Sequence, residues 1–384
     1  MRGHAGNAKH RAAGLPARSL NREKPKLRRP LLAITALLAL GIGWLWWTRP
    51  SGEEAGPPLP EAQLTLLAVG DTGQPASWLP LDPQRRVGRA MARVHRARPV
   101  DALVLLGDNF YPSGLTSREL VERVRANLVK PYCGFVALRG PRSPEVEAAC
   151  PTGVELERPI PIFAVLGNHD YETAESPELE REAVPSFVSN WSVPQGVAEV
   201  HELPGGVSLV LAQSEELLSG AGTAPLRDAL ARSRGPWRIV ALHRPVVEGI
   251  RGPTNTDKNT AAFSALVRGA IVESGARVQL LLSGHEHNLQ IFEGSSPGPQ
   301  LVVVAGSGGG ERRTKFDAAS RRFALEGIGF ALIDLIGAGA DARLVASQFA
   351  LPEHWLPGHD APALVSRWSV GLSGEVRNEL AGTR

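Results

Sequence analysis

The stretch Ala102-Leu103-Val104-Leu105-Leu106-Gly107-Asp108-Asn109-Phe110-Tyr111 joins five uninterrupted apolar residues to a polar cluster. A strand with one wet face alternates apolar and polar residues, so a continuous apolar run predicts a strand covered on both faces. The same pattern recurs outward in both directions. Leu64 to Val69 runs into Gly70-Asp71-Thr72-Gly73, and Ile160 to Leu166 into Gly167-Asn168-His169-Asp170-Tyr171. Arg238 to Leu242 runs into His243, and Val278 to Leu282 is followed by Gly284-His285-Glu286-His287. Helical patterns lie between them at Pro83 to Arg98, Ser117 to Val129, Pro225 to Arg234 and Ala261 to Ser274, with Ser117 as a reasonable helix start. Strands alternating with helices predict an α/β fold with mostly parallel pairing. Four later runs, Val207 to Ala212, Gln300 to Ala305, Gly327 to Ile336 and Ala342 to Phe349, read as antiparallel strands without helices between them. Residues 351–384, with scattered Pro and Gly, read as a wrap over the domain.

Open α/β sheets gather ligands just past the carboxyl ends of their strands, and that is where the five polar clusters fall. A lone Asp or Asn after a strand is commonly a helix cap or turn former, so Asp71 or Asn168 alone carries little weight. The ordered set carries much more. In the order GDxG, GDxxY, GNHD, VxxH and GHxH, residues 63 to 310 resemble the calcineurin-like metallophosphoesterases and, among them, the purple acid phosphatases. The resemblance implies a sandwich of two mixed β-sheets flanked by helices, with metals at one edge. It implies one metal held by Asp71, Tyr111 and His287, a second held by Asn168, His243 and His285, Asp108 bridging the two, and His169 beside the leaving group.

Elementary chemistry agrees with this assignment. A bridging carboxylate holds two cations ~3.5 to 4 Å apart, so that a shared hydroxide attacks phosphorus while the metals stabilise the developing charge. The Tyr111 phenol becomes a good ligand only when a highly charged ion displaces its proton, which favours Fe(III) at that site. The amide and two imidazoles of the other set are neutral apart from their share of Asp108 and suit a divalent Fe, Zn or Mn ion. His285 and His287 lie two residues apart, so the turn after Gly284 must aim them at different metals. The Gly-rich run from Gly306 to Gly310 lacks the Lys-Ser/Thr of a phosphate loop and reads as a tight backbone path beside the metals.

One departure stands out. The family commonly places a further substrate-binding histidine after the fourth motif, yet no histidine occurs between His243 and His285. Arg244, Arg251 and Lys258 are the cations available there, with Arg244 or Arg251 expected to grip a phosphate oxygen and His169 to protonate the leaving group. The expected reaction is phosphomonoester hydrolysis. The alternatives are a phosphodiesterase or nucleotide hydrolase using the same site, and a membrane-tethered binding module with a vestigial one.

The net charge of +3 is unevenly spread. Nine Lys and Arg against Glu23 give residues 1–30 a charge of +8, which leaves the remainder at −5. The high pI therefore belongs to a tail, and no nucleic-acid binding is expected. Leu31 to Trp47 carries no charge and ends in Trp44, Trp46 and Trp47, a pattern that predicts a transmembrane signal anchor over 31–48. The basic tail would stay cytoplasmic and the catalytic domain would be extracytoplasmic. No small-x-small site follows Trp47, which favours an uncleaved anchor, and Arg28-Arg29 resembles a twin-arginine export signal. Residues 49–62 read as a linker, 63–350 as the catalytic domain and 351–384 as a C-terminal extension. The two cysteines, Cys133 and Cys150, are left open between a disulfide and two buried thiols.

Overall fold

Strand β1 (Ala62–Val69) shows why these runs are so largely apolar, its one buried polar side chain, Thr65, being hydrogen-bonded to Asp334. Leu64, Leu66 and Ala68 face a core between two sheets, while Leu67 and Val69 face a second core on the sheet's outer side. The computed structural model describes residues 59–73, 82–150, 160–247, 258–294, 296–311, 319–353 and 361–381. The expected anchor at 31–48, the basic tail, most of the linker and Arg251 lie outside those residues. Among the described residues no helix is long and apolar enough to cross a membrane.

In the first sheet β1 pairs in parallel with β2 (Ala102–Leu106), which continues to β3 (Ile162–Val165) and β4 (Trp191–Ser192). On its other side β1 is antiparallel to β12 (Gly329–Ile336), followed by β13 (Arg343–Ala350), β14 (Ala363–Gly371) and β15 (Val376–Asn378). The second sheet runs β11 (Arg321–Leu325), β9 (Leu289–Glu293), β10 (Leu301–Ala305), β8 (Leu280–Ser283), β7 (Trp237–Ala241), β6 (Val207–Ala212) and β5 (Ala198–Leu203). Both sheets are mixed, as the α/β sandwich expectation requires.

Helix α1 (Pro83–Ala97) starts at a proline, and its first turn is closed by Asp82, whose side chain accepts from the Gln84 N–H. Its Val87, Ala90 and Met91 pack on the outer face of the first sheet, together with Leu120, Val124 and Leu128 of α2 (Leu120–Arg123) and its π-helical continuation Val124–Val129. Leu226 and Leu230 of α3 (Ala224–Arg232) and Phe263 and Val267 of α4 (Lys258–Ser274) cover the second sheet in the same way. The order of layers is helix, sheet, sheet, helix.

Four sequence expectations need correction. The tail does not wrap: β14 and β15 extend the first sheet by antiparallel pairing, and the buried Ser366, Arg367 and Ser369 of β14 broke the apolar pattern that would have marked a strand. Strands β6 and β10 each have an antiparallel partner, β5 and β9, but on the other side they are parallel to β7 and β8, and α3 intervenes between β6 and β7. Helix α2 begins at Leu120 rather than after Ser117, whose hydroxyl donates instead to Glu175 Oε2 at 2.7 Å. Strands β5 and β11 went unread because they are half-polar sheet edges. Cys133 and Cys150 form a disulfide with Cα atoms 5.4 Å apart.

Candidate metal centre

The ends of β1, β2 and β3 in one sheet meet those of β7 and β8 in the other, and the loops beyond them are tied by backbone hydrogen bonds. Asp71 N donates to Gly107 O, Gly73 N to Asp108 O, Tyr111 N to Gly73 O, and Gly284 N to His243 O, at 2.8 to 3.0 Å. This lattice brings together residues more than 200 positions apart. All seven expected ligand side chains converge.

They do so in two groups. The Tyr111 hydroxyl lies 3.1 Å from Asp71 Oδ1, 2.7 Å from Asp108 Oδ2 and 3.0 Å from His287 Nε2, and His287 Nε2 is 3.2 Å from Asp71 Oδ1. In the other group His243 Nε2 lies 3.2 Å from Asn168 Oδ1, 3.1 Å from His285 Nδ1 and 3.4 Å from Asp108 Oδ1. Each oxygen of Asp108 thus faces one group. His285 and His287 face different groups, as the spacing argument requires.

Asp71, Asp108 and His285 are the non-glycine residues with positive φ among the described residues, at 56°, 54° and 67°. Such a conformation costs about 1–3 kcal/mol in a residue bearing a Cβ. It persists here because each backbone is held at its neighbours, with His285 N donating to Asp71 Oδ2 at 2.7 Å. Two glycines give the carboxylates room. A Cβ on Gly167 would stand 2.1 Å from Asp108 Oδ1, and one on Gly306 would stand 2.6 Å from Asp71 Oδ2. The Gly306 run is thus the close backbone path expected beside the site.

The electrostatics suit cations. Burial holds the Asp71 carboxyl well above the usual carboxylate range; His243 opposes this and Asp108 adds to it. Burial, reinforced by Asp71 and Asp108, drives the Tyr111 phenol far above its ordinary value. Two carboxylates and a phenol packed this tightly are stable in ionised form only around positive charge. Asp71, Asp108 and His287 offer atoms within 4.8 Å of one another, as a single ion requires. The donor chemistry therefore fits a pair of metal ions: an oxygen-rich anionic half and a nitrogen-rich neutral half sharing one carboxylate.

His169 sits with its ring centroid 4.5 Å from that of Tyr111, and its backbone N–H donates to Asp108 Oδ1 at 2.9 Å. Its Nδ1 faces Pro112 O at 2.5 Å and Glu172 Oε1 at 3.1 Å. Arg244 pairs with Glu215, Nε to Oε1 at 2.5 Å and Nη2 to Oε2 at 3.3 Å, and its Nη1 lies 3.4 Å from His285 Nε2. Sequence reasoning passed over several supporting residues. Asp170, fully buried, accepts from the N–H groups of Gly167, Asn109 and Phe110 and so clamps two ligand loops together. Burial and the nearby Asp108 raise its carboxyl to about 7. Glu180, also fully buried, accepts from Asn109 Nδ2 at 3.1 Å. Asp170 was visible as the last residue of its motif, whereas nothing in the charged run around Glu180 sets it apart.

The calcineurin-like phosphoesterase family model matches residues 64–289. Purple acid phosphatase 4 of Arabidopsis thaliana is 25% identical over 280 residues, 66% of this chain and 70% of that protein. The fold is shared with GAP50, the anchor in the inner membrane complex of Plasmodium, at a TM-score of 0.53 and 16% identity over 76% of this chain and 85% of that one. It is shared also with purple acid phosphatase PPD1 from yellow lupin (Lupinus luteus) seeds, at a TM-score of 0.53 and 13% identity over 83% of this chain and 55% of that one.

Replacing Gly167 tests the geometry without removing a donor. Gly167→Ala pushes a methyl onto Asp108 Oδ1, and the expected outcome is a fold retained by circular dichroism with metal affinity lowered roughly 10- to 100-fold. Metal content after dialysis measures it, and unchanged retention would show that Asp108 does not need its present position.

Proposed function

The chain belongs to the calcineurin-like phosphoesterase family as a purple acid phosphatase-like member, hence a metal-dependent phosphoester hydrolase, and on that premise we propose that its substrates are phosphomonoesters. The observation that carries the reading is Asp108, whose two oxygens face two complete donor groups. Asp71, Tyr111 and His287 would hold one cation, Asn168, His243 and His285 the other, with Asp108 shared. When bound, the pair supplies a nucleophile from water at neutral pH and positive charge for the phosphoryl oxygens.

The chain's own residues supply orientation and a proton. The acceptors Pro112 O and Glu172 hold a hydrogen on Nδ1 of His169, so that in the imidazolium form Nε2 carries the second hydrogen, the one it would give to the leaving oxygen. Arg251 is kept as the proposed phosphate grip, and Arg244 is given a different role below. Fe(III) is proposed at the Tyr111 group, because a phenol buried against two carboxylates yields its proton only to a cation of high charge. A divalent ion, Fe, Zn or Mn, is proposed at the Asn168 group.

The rival reading as a membrane-tethered binding module draws on the fold shared with GAP50. The complete donor set speaks for catalysis instead. We propose anchoring as well as hydrolysis, supported by the uncharged run from Leu31 to Trp47 behind a tail of charge +8.

Three measurements check this reading. Hydrolysis of p-nitrophenyl phosphate is expected to exceed that of bis(p-nitrophenyl) phosphate, and the reverse preference would move the assignment to phosphodiesters. The purified protein is expected to show a visible phenolate-to-iron band that Tyr111→Phe abolishes; a colourless, fully metallated wild type removes iron from the Tyr111 group. Full-length protein is expected to stay with membranes through an alkaline carbonate wash, and release into the supernatant would refute the anchor.

A further inference from the structure

The two histidines of the second donor group differ at their outer nitrogens. His243 turns Nδ1 to the carbonyl of Leu106 at 2.9 Å. Such an outer acceptor fixes the ring and raises its basicity as a ligand. His285 turns its outer Nε2 to a cation instead, Arg244 Nη1 at 3.4 Å. Guanidinium has only donors to offer, so it cannot accept the hydrogen that Nε2 carries when Nδ1 binds a metal.

Arg244 is placed there by construction. Ser214 Oγ accepts the backbone N–H of both His243 and Arg244, each at 3.1 Å. The next residue, Glu215, grips the guanidinium through Nε and Nη2. The side chains of Arg244 and Glu215 are only 14% and 21% exposed, so solvent screens the pair weakly. The short turn Ser214–Glu216 thus presents a positive group to the ligand His285 and a compensating negative group behind it.

We propose that Arg244 and Glu215 are positioning residues that set how tightly the second cation is held, Arg244 weakening its retention and Glu215 strengthening it; this rests on the binuclear reading above. A positive charge beside His285 draws electron density from the ring and opposes a cation on its far side. The carboxylate of Glu215 offsets that charge. The consequence is that retention of the second ion responds, with opposite sign, to the charge on each of the two residues.

The test is a titration of the metal-depleted full-length protein with Mn²⁺, with free Mn²⁺ followed by electron paramagnetic resonance after the first site has been filled with iron. Arg244→Gln is expected to tighten the second site roughly tenfold, and Glu215→Gln to loosen it by a similar factor. The opposite signs are the readout, because two residues needed merely for folding would both loosen it. Arg244→Met serves as a second variant if the glutamine protein is unstable, and tightening is again expected. Loosening by an Arg244 variant, or equal affinity in wild type and both charge variants, overturns the proposal while the two-site reading stands. A wild type that never takes up a second ion would instead refute the binuclear reading itself.

Discussion

One carboxylate carries the design. Asp108 turns Oδ2 to the Tyr111 group and Oδ1 to the His243 group, and a carboxylate reaches both only if it is aimed between them. That aim is set by a left-handed backbone at φ 54°, an unfavourable conformation for an aspartate. Gly107 before it also has positive φ, and Gly167 opposite must lack a side chain. Moving Asp108 by an ångström would separate the two halves of the site.

Such strain needs a stiff mount, and the four-layer architecture supplies it. Strand β2 is buried along its whole length and pairs on both sides with parallel neighbours, so the point where Asp108 leaves the sheet is set by close packing on two faces. The second sheet brings His243 and the His285 turn to the same edge. Asp170 then locks the Asp108 and Asn168 loops through three backbone N–H groups, and Glu180 supports Asn109 from behind. Two fully buried carboxyls, Asp170 beside Asp108 and Glu180 beside Asp170, are an unusual choice for a mount. The compensation is that each accepts hydrogen bonds from groups that would otherwise be orphaned.

What the sequence discloses follows from this layout. Residues 64–69 and 102–106 announce themselves because a strand covered on both faces has nowhere to put a polar side chain, and the ligands after them follow because chemistry restricts donors to a few residue types. Edge strands give no such signal: β5 (AEVHEL) and β11 (RRFAL) each pair on one side only and mix charged with apolar residues, while the inner strand β14 hides its place by burying Ser366, Arg367 and Ser369. Strand direction was equally hidden, since β6 has the same composition whether its partner runs with it or against it. Glu180 and Glu215 lie in charged stretches of the kind that normally face water, and only the folded chain reveals that each meets a specific partner. The left-handed turns at Asp71, Asp108 and His285 are likewise properties of converging loops and not of the local residues.

Charge is distributed unequally over the convergence that Asp108 creates. Asp71 and the Tyr111 phenol crowd negative potential onto one half, which burial and mutual repulsion make intolerable without a cation of high charge. The other half offers an amide and two imidazoles, and beside one of these stands Arg244. A hydrolytic centre has reason for such asymmetry. An ion held by the anionic half would have its charge largely cancelled by its ligands, whereas one held by the neutral donors would keep more of its charge for the phosphoryl oxygens. On the proposal made for Arg244 and Glu215, weak retention and strong electrophilicity would be two consequences of the same neutral donor set, with Glu215 moderating both.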